Sequence, residues 1–255
     1  GPPGTGKTYV AQALAEHYTD AGNVRIVQFH PSYTYEDFIE GYRPELVDGQ
    51  VMFRVRQGPL MQIAEQARDN PGTPFVLIID EINRANLAKV FGELYFLLEY
   101  RKTPIRTLYA EEGAREFTLP PNLFIIGTMN TADRSIALVD AAMRRRFAFV
   151  SMHPADAHIR GMLRDWLDER NLPEDIAALL DELNGRIGDA DFQVGPSHFM
   201  RPWLYDDPDG LADVWESDIV PLLEEHHAGE DLDIDARYGL AALQKSVTAT
   251  SVLRE

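Results

Sequence analysis

Gly1-Pro2-Pro3-Gly4-Thr5-Gly6-Lys7-Thr8 fits the pattern G-x-x-x-x-G-K-[ST] at every fixed position. That spacing suits a polyphosphate: glycines let successive backbone N–H groups converge, Lys7 brings a compact positive charge to the outer phosphates, and the Thr8 hydroxyl can ligate Mg2+. Downstream, Val10, Ala11, Leu14 and Ala15 recur on one helical face. The loop is therefore expected to open a helix whose N-terminal dipole also favours phosphate. A Gly/Pro-rich turn with a chance lysine would look the same over eight residues, so the rest of the chain must decide.

The second chemical segment is Phe75-Val76-Leu77-Ile78-Ile79-Asp80-Glu81. Five apolar residues in a row predict a strand buried on both faces, and the two carboxylates arrive where it leaves the sheet, the edge at which open α/β sheets bind ligands. This has the form of a Walker B motif. Asp80 would hold Mg2+, directly or through water, and Glu81 would orient and deprotonate the attacking water. Two carboxylates could also merely solvate a strand end; downstream of a phosphate loop the chemical role is the better account. A third segment, Leu123-Phe124-Ile125-Ile126-Gly127-Thr128-Met129-Asn130, repeats the pattern of a buried strand ending in a polar residue. Asn130 there can hydrogen-bond the attacking water or the γ-phosphate as a sensor.

The elements that must carry these residues are legible between them. Val24 to Phe29 is a β-branched run after the turn Asp20-Ala21-Gly22-Asn23 and predicts a strand. Ser32 to Arg43 holds Tyr33, Tyr35, Phe38 and Tyr42, better explained by a loop packed on the sheet than by a binding surface. Asp48-Gly49, between Leu46-Val47 and Val51-Met52-Phe53, is a hairpin-turn signal. Gly58-Pro59 starts a helix with Leu60, Ile63, Ala64 and Ala67 on one face, ending near Asn70-Pro71-Gly72. Strands alternating with helices demand crossover connections, so an α/β fold with a largely parallel sheet is expected over residues 1–152. From 153 to 255 the strand signal fades, and helical patterns around Ala157 to Glu169, Ile176 to Ile187, Leu211 to Glu225 and Arg237 to Leu253 predict a smaller helical domain.

Composition narrows the class further. The 255 residues contain no cysteine, which excludes a disulfide scaffold, a zinc ribbon and a thiol nucleophile together and fits a cytoplasmic address. No stretch approaches the roughly 18 apolar residues of a membrane span. The net charge of −17 is unevenly placed: residues 1–150 hold 16 Lys/Arg against 18 Asp/Glu, residues 151–255 only 8 against 23. The second part, at −15, would repel a phosphate backbone and is a poor grip for DNA by itself. The chain opens on the phosphate loop without an initiator methionine or signal segment, so it reads as a piece of a longer protein lacking the strand that normally leads into such a loop.

In this order, Gly1 to Thr8, Ile79-Asp80-Glu81, Asn130 and Arg144-Arg145-Arg146-Phe147, followed by a helical lid, resemble the AAA+ ring NTPases. More narrowly, Phe29-His30-Pro31-Ser32-Tyr33-Thr34-Tyr35-Glu36-Asp37-Phe38-Ile39-Glu40-Gly41-Tyr42-Arg43-Pro44, Asp80-Glu81-Ile82-Asn83-Arg84 and Met129-Asn130-Thr131-Ala132-Asp133-Arg134-Ser135 resemble the McrB family, the GTP-hydrolysing motor subunits of modified-cytosine-specific restriction systems. The resemblance implies a P-loop AAA+ three-layer sandwich whose first strand is missing from the middle of the sheet, followed by a small lid. The isolated polypeptide is then expected to be unstable and to bind nucleotide weakly beside a chain extended upstream. It implies a homo-oligomeric ring, a hexamer by family habit, with an endonuclease subunit as partner. Contact with DNA would run through a domain absent here, and no membrane is involved. It also implies that Asn130, Asp133 and Arg134 belong to the family's Asn-Thr-Ala-Asp signature and its flank. Arg145, and after it Arg146, would act as an arginine finger in the neighbouring subunit's site. Gly195-Pro196-Ser197-His198-Phe199-Met200-Arg201 resembles a lid sensor region, with His198 or Arg201 as the reader of nucleotide state.

The base of the nucleotide stays open between ATP and GTP. Asn130-Thr131-Ala132-Asp133 lacks the lysine of the small-GTPase Asn-Lys-x-Asp, the superfamily favours ATP, and the family favours GTP. Two other functions compete with the restriction motor: a protein-remodelling ATPase of the dynein-related or metal-insertion type, and a nucleotide-gated scaffold without turnover. The water-activating carboxylate Glu81 argues against the scaffold.

Overall fold

Leu77, Ile78 and Ile79 are fully buried in a strand that could pair and pack on every side. Each such side chain contributes about 1.5–3 kcal/mol by leaving water. This strand, Phe75–Asp80, is the middle of a three-stranded sheet. The computed structural model describes residues 1–110, 113, 116–132 and 141–252. In chain order its elements begin with α1 (Lys7–Tyr18), β1 (Val24–Gln28), α2 (Tyr35–Phe38), β2 (Glu40–Val47), β3 (Gln50–Gln57), α3 (Pro59–Asp69) and β4 (Phe75–Asp80). They continue with α4 (Leu87–Phe91), α5 (Leu94–Leu97), β5 (Leu123–Gly127) and α6 (Ala141–Arg144). A helical series follows: α7 (Ala157–Arg160), α8 (Met162–Asp168), α9 (Asp175–Ile187), α10 (Trp203–Asp206), α11 (Gly210–Val214), α12 (Val220–His226), α13 (Ile234–Tyr238) and α14 (Leu240–Val252).

The chain divides into two compact units. The first comprises Thr8–Met129 and Asp133–Phe149. Its sheet has the order β1-β4-β5 with both pairings parallel, Val24 opposite Val76 and Phe75 opposite Leu123. Parallel neighbours require crossovers, and the intervening helices supply them. β2 and β3 form a separate antiparallel hairpin closed at Asp48 and Gly49, both at positive φ as a tight two-residue turn requires. The hairpin has one apolar face, with Tyr42, Leu46, Val51 and Phe53 exposed along it. α3 starts at Pro59, where a missing N–H is harmless, and buries Leu60, Ile63, Ala64 and Ala67.

α1 departs from the expected face. Ala11 and Ala15 are buried against Val76 and Ile78, whereas Val10 and Leu14 are 38% and 45% exposed. The two stripes lie side by side around the helix, and only the one with small side chains lies on the sheet. The aromatic stretch packs as a loop should: Tyr35 and Phe38 are buried in the core, α2 is held by a capping box between Thr34 and Asp37, and the Tyr35 hydroxyl donates to Glu93 at 2.6 Å. Tyr42 is the exception, at 56% exposed on the hairpin.

The second unit comprises Gly1–Lys7, Asn130–Ala132 and Val150–Glu255. Its core joins Leu163, Leu167, Leu183, Phe199, Trp215, Ile219 and Tyr238. Each long helical pattern except that of α9 is broken where the sequence permits it. Gly161 separates α7 from α8, and Gly239 separates α13 from α14. Between α11 and α12, Trp215–Ile219 takes a wider π turn just before Pro221. Proline offers no N–H and its ring crowds the preceding turn, so the widened turn absorbs the misfit. No described helix is long and apolar enough to cross a membrane.

Candidate functional site

In the second unit the phosphate loop is shaped by its glycines. Gly4 and Gly6 sit at φ +75 and +78, backbone that residues with a Cβ rarely adopt. Thr5 is fully buried and its hydroxyl donates to the Pro2 carbonyl at 3.1 Å, which tightens the turn. Lys7 Nζ donates to the carbonyls of Gly1 and Pro2 at 2.9 and 2.6 Å, so the ammonium folds back onto the start of the loop. The Gly1 carbonyl also accepts from Thr131 N at 3.1 Å, and the Asn130 side chain accepts from Ala132 N at 3.4 Å.

The same loop is bonded to the lid sequence. Gly195 N donates to Pro3 O at 3.1 Å and Ser197 N to Gly4 O at 3.0 Å. A Cβ on Gly195 would lie 2.0 Å from the Gly4 carbonyl carbon, and a Cβ on Gly4 would lie 2.5 Å from the His198 ring. His198 turns Nδ1 toward Asp218 at 3.3 Å, and Asp218 accepts from Arg201 at 2.6 Å. Burial pulls the His198 pKa down against the opposing pull of Asp218. Burial would raise the Asp218 carboxyl, but the hydrogen bonds from His198 and Arg201 hold it below its ordinary value. Gly195→Ala is expected to force the two loops apart, with a loss of about 1–3 kcal/mol of stability and weaker nucleotide binding. Gly22→Ala, at a turn with open space around it, should do neither. Denaturant melts and nucleotide titrations of the two variants check this; equal behaviour would show that the Gly4 contact is dispensable.

In the first unit the carboxylate edge is assembled at the ends of β4 and β5. Asp80 Oδ1 accepts from the hydroxyls of both Thr8 and Thr128, each at 2.6 Å. Thr128 Oγ also accepts from Glu81 N at 3.2 Å, and the Thr128 backbone bonds Ile79 O and Ile82 N at 2.9 Å each. Glu81 thus leaves the sheet in left-handed backbone, φ 53 and ψ 44, which is uncommon for a residue with a side chain and needs such surroundings to persist. Its carboxylate lies 3.4 Å from Arg84 Nε. Thr8 and Asp80 offer hard oxygen donors side by side, the donor chemistry that would suit Mg2+.

The arginine run follows α6. Arg145 is 64% exposed, whereas the side chain of Arg146 is 8% exposed beside Glu99 and Tyr95. Arg144 stacks on Phe149 at 5.5 Å. Asp133 and Arg134 lie outside the described residues. Sequence reasoning missed Thr128, whose hydroxyl joins the Asp80 carboxylate to the backbone of Glu81; a polar residue closing an apolar strand run was its only signal. Glu99 was missed because nothing local marks it.

Residues 1–147 match the family model of the AAA domain, dynein-related subfamily, and residues 175–235 match that of the McrB alpha-helical lid domain. The chain is 41% identical over 244 residues to the type IV methyl-directed restriction enzyme EcoKMcrB subunit of Escherichia coli, covering 89% of this chain and 52% of that protein. It is 32% identical over 186 residues to the type II restriction enzyme BsuMI component YdiS of Bacillus subtilis, covering 58% and 54%. The chain thus spans about half the length of the curated relatives it matches. Among solved structures it is similar to a putative ATPase from Cytophaga hutchinsonii, at 18% identity and a TM-score of 0.40 over 72% of this chain and 53% of that one. With a glycine-shaped phosphate loop, two hydroxyls on Asp80, the two family-model matches and the 41% identity to the EcoKMcrB subunit, the chain belongs to the dynein-related subfamily of AAA domains and is an McrB-family AAA+ protein.

Proposed function

We propose that this chain is the Mg2+-dependent, nucleoside triphosphate-hydrolysing motor of a restriction or defence complex, working as a homo-oligomeric ring on ATP or GTP. The observation that carries the chemistry is the convergence of the Thr8 and Thr128 hydroxyls on one oxygen of Asp80, with Glu81 N on the same Thr128 hydroxyl. Restriction-system components among the relatives support the setting.

Gly4 and Gly6 turn the loop so that its N–H groups can cradle the phosphates, and Lys7 would exchange the Gly1 and Pro2 carbonyls for phosphate oxygens. Thr8 and Asp80 would hold Mg2+, which, when bound, neutralises charge on the phosphate oxygens. Glu81 would take the proton of the attacking water as it adds in line to the γ-phosphorus, and Asn130 would orient that water. The bond to the bridging oxygen then breaks, leaving nucleoside diphosphate and phosphate. Arg145 would meet the charge developing in the site of an adjacent subunit. Asp133 and Arg134 would organise the edge beside Asn130, and the lid residue His198 would report on the loop it touches. An endonuclease subunit is the proposed client, in a cytoplasmic setting.

An arginine supplied by a neighbour makes hydrolysis depend on association. Specific activity is expected to rise with protein concentration and to need Mg2+, and competition between GTP and ATP identifies the base. Activity per subunit that is constant on dilution to the monomer would remove the ring from this account.

A further inference from the structure

Glu99 closes a bracket on the arginine run. Its Oε2 is ion-paired with Nη2 of Arg146 at 3.1 Å and accepts from Nη2 of Arg145 at 3.3 Å, two guanidinium groups on one carboxylate oxygen. The two arginines are placed differently. The Arg146 guanidinium also lies 4.6 Å from the centre of the Tyr95 ring and is nearly sealed from solvent, while Arg145 is mostly exposed. Tyr95 and Glu99 stand one helical turn apart, with Glu99 N and Tyr100 N still bonded to Phe96 O, so ring and carboxylate present one face. A buried guanidinium needs both its carboxylate and its aromatic face; an exposed one needs neither and keeps most of its five donors for another partner.

We infer that Glu99 is a positioning residue: with Tyr95 it fixes Arg146 as an anchor, and the anchored turn presents Arg145 outward. The inference rests on the arginine-finger reading given above and adds which arginine reaches, which one holds, and what holds it. Glu99 also ends the segment that leaves the sheet at Glu81 and runs through α4 and α5. The residue that activates water for one site and the residue that aims the arginine for the next are thereby carried on one short stretch of chain.

The test is complementation between variants of the assembled protein. Glu81→Gln subunits lack the base but keep their arginines; Glu99→Gln subunits keep the base but lose the anchor. Glu99→Gln alone is expected to turn over about 10²-fold more slowly, the cost of a catalytic group misplaced by roughly an ångström, with unchanged nucleotide affinity and melting temperature. Mixing it with Glu81→Gln should restore turnover, because each Glu81→Gln subunit offers a well-aimed Arg145 to an intact neighbouring site. Arg146→Lys should behave in the same way. Turnover of Glu99→Gln at the unsubstituted rate, or a loss that mixing does not repair, overturns the positioning role. Arg145→Ala in the same mixing experiment separates the two levels. If it is rescued and Glu99→Gln is not, Glu99 alone is misassigned; if Arg145→Ala is not rescued either, the arginine-finger reading falls with it.

Discussion

Turnover by the assembled protein is expected to fall about 10³–10⁵-fold when Arg145 is replaced by alanine, the range an arginine finger is worth in phosphoryl transfer. The γ-phosphoryl group gathers negative charge on its oxygens as the bridging bond breaks, and a guanidinium delivered from outside meets that charge without covalent chemistry. Arg145 can be delivered because its side chain is 64% exposed, with one bond to Glu99 as the only restraint the structure gives it among the described residues. Nucleotide affinity should change little, since the loop and the Thr8–Asp80 pair are untouched. Arg145→Ala subunits added to unsubstituted ones should depress activity more steeply than their fraction, because each removes the arginine from a site it does not own. A decline in simple proportion would place Arg145 in the service of its own subunit.

Glu81→Gln should separate binding from chemistry, with turnover about 10²–10⁴-fold lower and nucleotide still bound. Glutamine fills the same space and keeps an acceptor, but it cannot take the proton of water. The backbone that aims this side chain is held by Thr128 from the end of β5, so the substitution leaves the edge intact. Lys7→Ala is the counterpart that should abolish binding itself, because it strips the loop of its one cation. Hydrolysis by Glu81→Gln near the unsubstituted rate would mean that another group takes the proton.

What could be read from the sequence was what local physics dictates. Phe75–Asp80 had to be a buried strand, because no other element hides five consecutive apolar side chains so cheaply in length. Asp48-Gly49 had to turn, and Pro59 had to begin a helix. The motif residues of the phosphate loop and of Walker B announced themselves by type and spacing. What escaped was set by tertiary contact. The face of α1 depended on which stripe the sheet would accept, and the small side chains of Ala11 and Ala15 took it in place of Val10 and Leu14. The three consecutive arginines are alike as letters; Glu99 touches both Arg145 and Arg146, and only the distant Tyr95 ring and burial distinguish Arg146 from Arg145. Thr128 gained its place through a partner, Asp80, on another strand.

The hydrogen bonds from Gly195 and Ser197 to Pro3 and Gly4 join the phosphate loop to the helical unit, so any local opening of that segment is expected to take the loop with it. The amides of Gly195, Ser197 and Thr131 should therefore exchange with solvent together, as one cooperative segment, and slow together when nucleotide is added. If that segment is closed only a fraction of the time, apparent affinity is the intrinsic affinity scaled by that fraction. Substitutions deep in the helical core, at Trp215 or Tyr238 and far along the chain from any phosphate ligand, would then weaken nucleotide binding by loosening the loop.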